Sequence, residues 1–210
     1  MIFKDRHDAG KKLAEALKKY KNKKDVIVLG IPRGGVEVAF NIAKALKVPL
    51  SIIVTKKIGH PFESEFAIGA VSPGNYIVDE VYSNEAGEDY IENTVKEMNA
   101  EIKRRYKEYT QGKMPQLKNK IVIIVDDGLA TGYTMFAAIK YAKSKNPKKL
   151  IVAVPVAAQD SFEKVKQMAD EFVCLQVPVF FSAVGSFYQD FAQLEDEEVK
   201  FYLKEGKKYC

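Results

Sequence analysis

The chain has 210 residues, 47% of them hydrophobic, enough for one substantial core that buries roughly 70% of the unfolded chain's surface. No apolar run approaches the ~18 residues of a bilayer span, and the N-terminus, MIFKDRHDAGKKL, has neither a secretory nor a transit-peptide composition. A helical membrane span is therefore not expected, and a cytoplasmic location is. The net charge of +5 comes from 33 basic and 28 acidic residues dispersed along the chain, which argues against nucleic acid and for a phosphorylated small molecule.

Taken in order, β-branched runs alternate with helical patterns, the signature of βαβ units around a mostly parallel sheet. Residues 8–20 carry Leu13, Ala14, Leu17 and Tyr20 on one helical face. A buried strand is expected at 26–30, a helix at 35–47 and a second strand at 50–56. Residues 68–72 and 76–80, joined by Pro73-Gly74-Asn75, read as an antiparallel hairpin. A long amphipathic helix follows over about 85–109, with Ile91, Val95, Met98, Ile102, Tyr106 and Tyr109 as its apolar stripe. Strand 120–127, helix 134–144, strand 150–157 and helix 161–172 complete a core domain over 1–172. The less regular segment 173–210, rich in aromatics, is expected as a small cap over the carboxyl ends of the strands, where open α/β sheets bind ligands. Cys174 and Cys210 lack any metal-ligand spacing and read as free thiols.

The stretch IIVDDGLATGYTM (123–135) carries the most chemistry. A strand ends in two carboxylates, Asp126 and Asp127, and a short turn of small residues leads into a helix. The first turn of a helix offers unpaired N–H groups and partial positive charge, so this turn, with the hydroxyls of Thr131 and Thr134, suits a phosphate. Ionised carboxylates are acceptors only and suit hydroxyls or a hydrated Mg²⁺ instead. A ligand with a phosphate at one end and a vicinal diol nearby satisfies both halves. No Walker A or Rossmann glycine motif occurs in the chain.

With Val122 included, the segment VIIVDDGLATGYT (122–134) resembles the ribosyl-phosphate motif of type I phosphoribosyltransferases: four hydrophobics, two acids, three linkers, then T-G-x-T. The resemblance implies that Asp126 and Asp127 hold the ribose hydroxyls, directly or through Mg²⁺-bound water, and that Ala130, Thr131, Gly132, Tyr133 and Thr134 wrap the 5′-phosphate. It implies a Rossmann-like α/β core with a hood and a mobile loop hairpin. GIPRGG (30–35) lies where that family places its pyrophosphate loop, which assigns Arg33, Gly34 and Gly35 to pyrophosphate and suggests a non-proline cis bond near residues 32–34. The mobile loop of the family falls on 55–71, making Lys56 and Lys57 pyrophosphate or catalytic contacts, although two lysines at a strand end could equally be solvated. His60, alone in that loop, reads as solvent-exposed rather than catalytic.

DRHDAG near the start and AVGSFYQDF near the end extend the resemblance to a stand-alone bacterial and archaeal group whose acceptor is generally unassigned. The implied reaction moves the phosphoribosyl group of phosphoribosyl diphosphate (PRPP) to a nitrogen nucleophile, with a nucleobase as the expected acceptor and purine or pyrimidine salvage as the setting. Ala130 stands where 6-oxopurine enzymes usually carry Asp, which leans the pattern toward an adenine-type motif. Phe180, Phe181, Phe187 and Tyr188 are the candidate base-stacking residues, ordinary cap packing being their alternative reading. The competing functional reading is a PRPP- or nucleotide-binding regulator without turnover, disfavoured by the intact Arg33 and lysine pair and by the expected absence of a preceding DNA-binding segment. A homodimer is expected from the habit of relatives.

Overall fold

The computed structural model describes residues 1–209; Cys210 lies outside the described residues. Five parallel strands form the main sheet: β1 Val26–Gly30, β2 Leu50–Ile52, β6 Ile121–Val125, β7 Lys149–Val156 and β8 Glu171–Gln176, in the spatial order β2-β1-β6-β7-β8. The central strand, IVIIV, is buried at every position. Such a run without alternation is what a parallel strand covered on both faces requires. Helices α1 (Arg6–Ala16) and α2 (Gly34–Leu46) cover one face, over Val26, Val28, Ile123, Val125 and Ile151. The other face, with Leu29, Val122, Ile124 and Val152, is covered by α5 (Tyr133–Ser144) and α6 (Gln159–Met168). Both layers are expected from the alternating pattern, and the α/β class holds.

Strands β3 (Lys56–His60), β4 (Glu63–Ser72) and β5 (Asn75–Val78) form a separate antiparallel sheet. The segment expected as one strand over 50–56 is thus divided between two sheets. Ile53 N still donates to Gly30 O at 3.1 Å, and the chain then crosses so that Lys56 pairs with Val71. The expected mobile loop is an ordered hairpin here, because β3 and the front of β4 pair backbone to backbone from Lys56 to Glu63. The helix expected over about 85–109 is α4 (Glu88–Thr110), and a short helix that was not expected, α3 (Glu80–Ala86), precedes it. Asp79 caps α3, accepting from Val81 N, and Gly87 at φ +83° separates the two helices, a conformation that other residues resist. The apolar stripe survives: Ile91, Ile102, Tyr106 and Tyr109 are buried against β2, the second sheet and α7 (Asp196–Gly206).

The expected boundary between 172 and 173 falls inside β8, an edge strand half-buried throughout. Helix α7 packs against α2, α4 and β2 at the opposite edge of the sheet rather than over the strand ends. What remains for a hood is the irregular chain between β8 and α7, including a 3₁₀ turn at Val184–Phe187. Ile123→Ala, in the middle of the central strand, should lower unfolding free energy by about 2–5 kcal/mol in urea denaturation. A loss under about 1 kcal/mol would mean that β6 is not the packed centre of the domain.

Candidate ligand site

The candidate residues come together where β1 and β6 end side by side. These strands are in register, Gly30 opposite Val125, so the two chains leave the sheet as neighbours. One continues as Ile31-Pro32-Arg33-Gly34-Gly35 into α2, the other as Asp126-Asp127 and the loop into α5. Ile31 N donates to Val125 O at 2.9 Å, holding the first loop against the second strand. The Pro32–Arg33 peptide is cis, where the motif resemblance expected a non-proline cis bond. A Cβ on Gly34 would collide with the Asp127 carboxylate, and one on Gly35 would come within 2.8 Å of Asp126 Oδ1 and of Val125 O. Glycine at 34 and 35 is therefore a condition for placing this loop over the acidic pair.

Asp126 and Asp127 differ in their compensation. The Oδ2 atom of Asp127 accepts from Arg6 Nε at 2.8 Å, and 16% of its side chain is exposed, so the pair is enclosed but not sealed. Burial raises the Asp127 carboxyl above the usual range and Arg6 pulls it back. Among the described residues Asp126 has no such fixed cation. Burial pushes its carboxyl well up, the Asp127 charge pushes it further, and the backbone N–H of Asp127, Lys57 and Arg6 oppose them. Asp126 Oδ1 accepts from Asp127 N at 2.9 Å.

The adjoining loop continues the β6–β7 pairing: Leu129 N donates to Val156 O at 2.9 Å, and Ala158 N to Leu129 O at 2.8 Å. Ser161 Oγ donates to Ala130 O, so the start of α6 fastens the loop before α5. Gly132 is the N-cap of α5, at φ +83°. That left-handed turn leaves Ala130 and Thr131 exposed, with Tyr133 and Thr134 half-exposed at the helix start, whose first N–H groups have no helical partner.

The basic residues divide. Lys56 and Lys57 are neighbours on β3 and so project to opposite faces. Burial lowers the Lys56 ammonium, and the charges of Arg105, Arg104 and Arg33 add to that, which puts it among the cations of α4; Lys57 instead acts on Asp126. Arg33 Nη1 lies 3.4 Å from Glu195 Oε2 and 3.9 Å from Asp196 Oδ1, at the start of α7. His60 is not the exposed loop side chain expected. Only 16% of it is exposed, with Glu85 at 3.8 Å and the rings of Phe62, Phe66 and Tyr82 around it.

The four hood aromatics also separate. Tyr188 is buried, packs on Phe3 and Phe191, and donates its hydroxyl to Asp127 O at 2.6 Å, so it cannot stack on a base. Phe180 is 90% exposed. Phe181 stacks on Phe187 at 5.4 Å and, unlike Phe187, lines a cleft of about 430 Å³ with Phe66, Tyr82, Ala130, Ser161 and Lys164. Arg6 is the participant that reading the motifs missed. Its one signal is the DRHDAG stretch, where a cation stands in the first turn of a helix against the macrodipole. No group of three or more His, Cys, Asp or Glu able to hold a metal occurs among the described residues.

The fold, with the loops that follow β1 and β6, is that of a phosphoribosyltransferase-like α/β protein. The chain belongs to the phosphoribosyl transferase domain family, whose model matches residues 3–191. It is 39% identical over 210 residues to a Mycobacterium tuberculosis protein whose name assigns it provisionally to the phosphoribosyl transferases; the match covers 96% of this chain and 46% of that protein. The chain thus spans about half the length of that curated relative. A segment of 79 residues, 37% of this chain and 36% of the relative, is 37% identical to uracil phosphoribosyltransferase of Mycoplasma genitalium. The crystal structure of TT1426 from Thermus thermophilus superposes with a TM-score of 0.82 at 38% identity, covering 98% of this chain and 99% of that one.

The raised Asp126 carboxyl has a consequence for stability. An acid whose folded pKa exceeds its unfolded value destabilises the fold progressively as pH rises through that interval, and in full above it. Asp126→Asn keeps the acceptor oxygen and removes the buried charge. The variant should melt about 2–4 °C above wild type at pH 8, with the gap closing as pH falls toward 4. A lower Tm at pH 8, or a gain independent of pH, would contradict the buried-charge account.

Proposed function

We propose that the protein is a Mg²⁺-dependent phosphoribosyltransferase that moves the 5-phosphoribosyl group of PRPP to a nitrogen nucleophile and releases pyrophosphate. The observation that carries this reading is the contact between the Gly34-Gly35 loop and the Asp126-Asp127 pair, one turn of chain from the start of α5. In that arrangement Asp126 and Asp127 accept from the ribose 2′- and 3′-hydroxyls and Ala130–Thr134 surround the 5′-phosphate. The backbone at Arg33–Gly35 and the Lys57 ammonium face the diphosphate.

The donor set fits Mg²⁺, which binds through one or two carboxylates, substrate phosphates and water rather than a full protein cage. Asp126, enclosed and without a fixed cation, is the residue to hold it, with Asp127 beside it. When bound, Mg²⁺ supplies charge neutralisation and orientation at the diphosphate. The C1′–O bond to pyrophosphate breaks and a C1′–N bond forms, the nucleophile's N–H proton leaving to solvent or to the departing phosphate. Positive charge gathers on the ribose in between, and negative charge on the leaving group. Catalysis is then mainly positioning and electrostatic stabilisation. Arg33 must exchange its contacts with Glu195 and Asp196 for the diphosphate. Those contacts are long, and Glu195 is 67% exposed. Rim ion pairs of that kind contribute about 0–1 kcal/mol, so the exchange costs little.

The acceptor, a nucleobase on this reading, enters the cleft beside Ala130. Phe181 of the hood and Phe66 with Tyr82 of the hairpin side give it planar apolar walls, and Ser161 and Lys164 a polar edge. This replaces the set of four hood aromatics with one of them and two residues from outside the hood.

The test is pyrophosphate release from PRPP with Mg²⁺ and a panel of nucleobases. Arg33→Ala should lower kcat/KM by about 10²–10³ for whichever base reacts. Turnover with no base would remove the transferase reading, and undiminished turnover in Arg33→Ala would remove that residue from the leaving-group site.

A further inference from the structure

We propose that Arg6 and Tyr188 are positioning residues that clamp Asp127 in the geometry needed for a ribose diol, tying that end of the site to the C-terminal chain. The inference rests on the ribose-phosphate reading of the site and assigns a role to two residues outside the 30–35 and 122–134 segments.

The clamp has two arms. On the side-chain arm, Arg6 Nε donates to Asp127 Oδ2 at 2.8 Å and its Nη1 donates to Ala192 O at 2.7 Å. The guanidinium lies 3.9 Å over the Phe191 ring. Two of its nitrogens and one face thus have named partners, which restrains the orientation of the fork. On the backbone arm, the Tyr188 hydroxyl donates to Asp127 O at 2.6 Å, and its ring is wedged between Phe3 and Phe191. The two arms share one base. Phe3 N donates to Phe187 O and Gln189 N to Phe3 O, both at 2.8 Å, so the start of the chain is laced to residues 187–189. Asp5 then caps α1 by accepting from Asp8 N, which sets Arg6 in its first turn.

Stability alone does not account for Arg6. It is 7% exposed, and its charge stands at the helix end where cations are disfavoured. Well-packed apolar residues commonly serve as well as a buried ion pair of this kind. Departures from such local rules concentrate at functional sites. Here the departure holds one member of the acidic pair by a side-chain and a backbone contact, while Asp126 next to it keeps no fixed cation. A diol-binding carboxylate benefits from such fixation, because an orientation already set before binding is not lost on binding.

The experiment is calorimetric titration of ribose 5-phosphate, and separately of pyrophosphate, into wild type, Arg6→Lys and Tyr188→Phe in the presence of Mg²⁺. Arg6→Lys should weaken ribose 5-phosphate by about tenfold and Tyr188→Phe by about three- to fivefold, the scale of one misplaced contact to a charged group. Pyrophosphate affinity, which depends on the Arg33–Gly35 loop, should stay within about twofold. If Arg6→Lys does not fold, Tyr188→Phe, which deletes a single hydroxyl, carries the test alone. Unchanged ribose 5-phosphate affinity would overturn the clamp, and so would parallel loss of both ligands, the mark of a merely structural role. Failure of wild type to bind ribose 5-phosphate is a different result, and it would remove the ribose-phosphate reading together with the clamp.

Discussion

Two carboxylates on consecutive residues are enclosed at the carboxyl end of the central strand, and the rest of the site is arranged around that unfavourable fact. Water would solvate both charges; β6, the glycine loop over them and the hood largely remove it. One charge is answered by a fixed guanidinium from the first helix, the other is left for whatever binds. A carboxylate in this state destabilises the ligand-free fold and gains most when a cation or hydroxyls arrive. The constraint reaches into the sequence on all sides. It requires glycine at 34 and 35, an arginine in an otherwise poor helical position and a tyrosine under the hood. Remote segments, residues 3–6 and 187–192, meet at the same point, and Arg6 of one and Tyr188 of the other both contact Asp127.

The parallel sheet makes this possible. Strands in register and pointing the same way deliver their following loops to one rim, so β1 and β6 bring the Gly34-Gly35 loop and the two acids within contact distance. In the second sheet the Lys57 charge acts on Asp126, while Lys56 feels the charges of α4. Helix α7, beyond the stretch that matches the family model, reaches back with Glu195 and Asp196 to Arg33. The C-terminal chain therefore touches both ends of the site, at Asp127 and at Arg33.

Much of this was legible in the residues. Uninterrupted β-branched runs identified the buried strands, and the order of hydrophobics, acids, small linkers and T-G-x-T identified the loop at α5 through its resemblance to a family motif. What local pattern could not convey was partnership across the chain. Arg6 reads as one cation in a basic N-terminus until Asp127 is beside it. Tyr188 reads as a stacking aromatic until its hydroxyl is found on a backbone carbonyl. Leu50 to Lys56 reads as one strand because apolar content is continuous, while the two sheets that divide it are set by tertiary packing. Gly87 was the visible sign that a short helix, α3, ends before the long amphipathic helix begins, and periodicity alone passed over it.

The account stands on one ligand being gripped at two ends, with the acids on its hydroxyls and the α5 turn on its phosphate. The direct measurement compares, by calorimetry with wild-type protein and Mg²⁺, the affinities of ribose 5-phosphate and 2-deoxyribose 5-phosphate. Loss of a hydroxyl that bonds to a carboxylate should weaken binding by at least about tenfold, while the shared phosphate keeps both ligands in competition for one site. Equal affinities for the two sugars would mean that Asp126 and Asp127 do not read the diol, and the assignment of this site would be wrong.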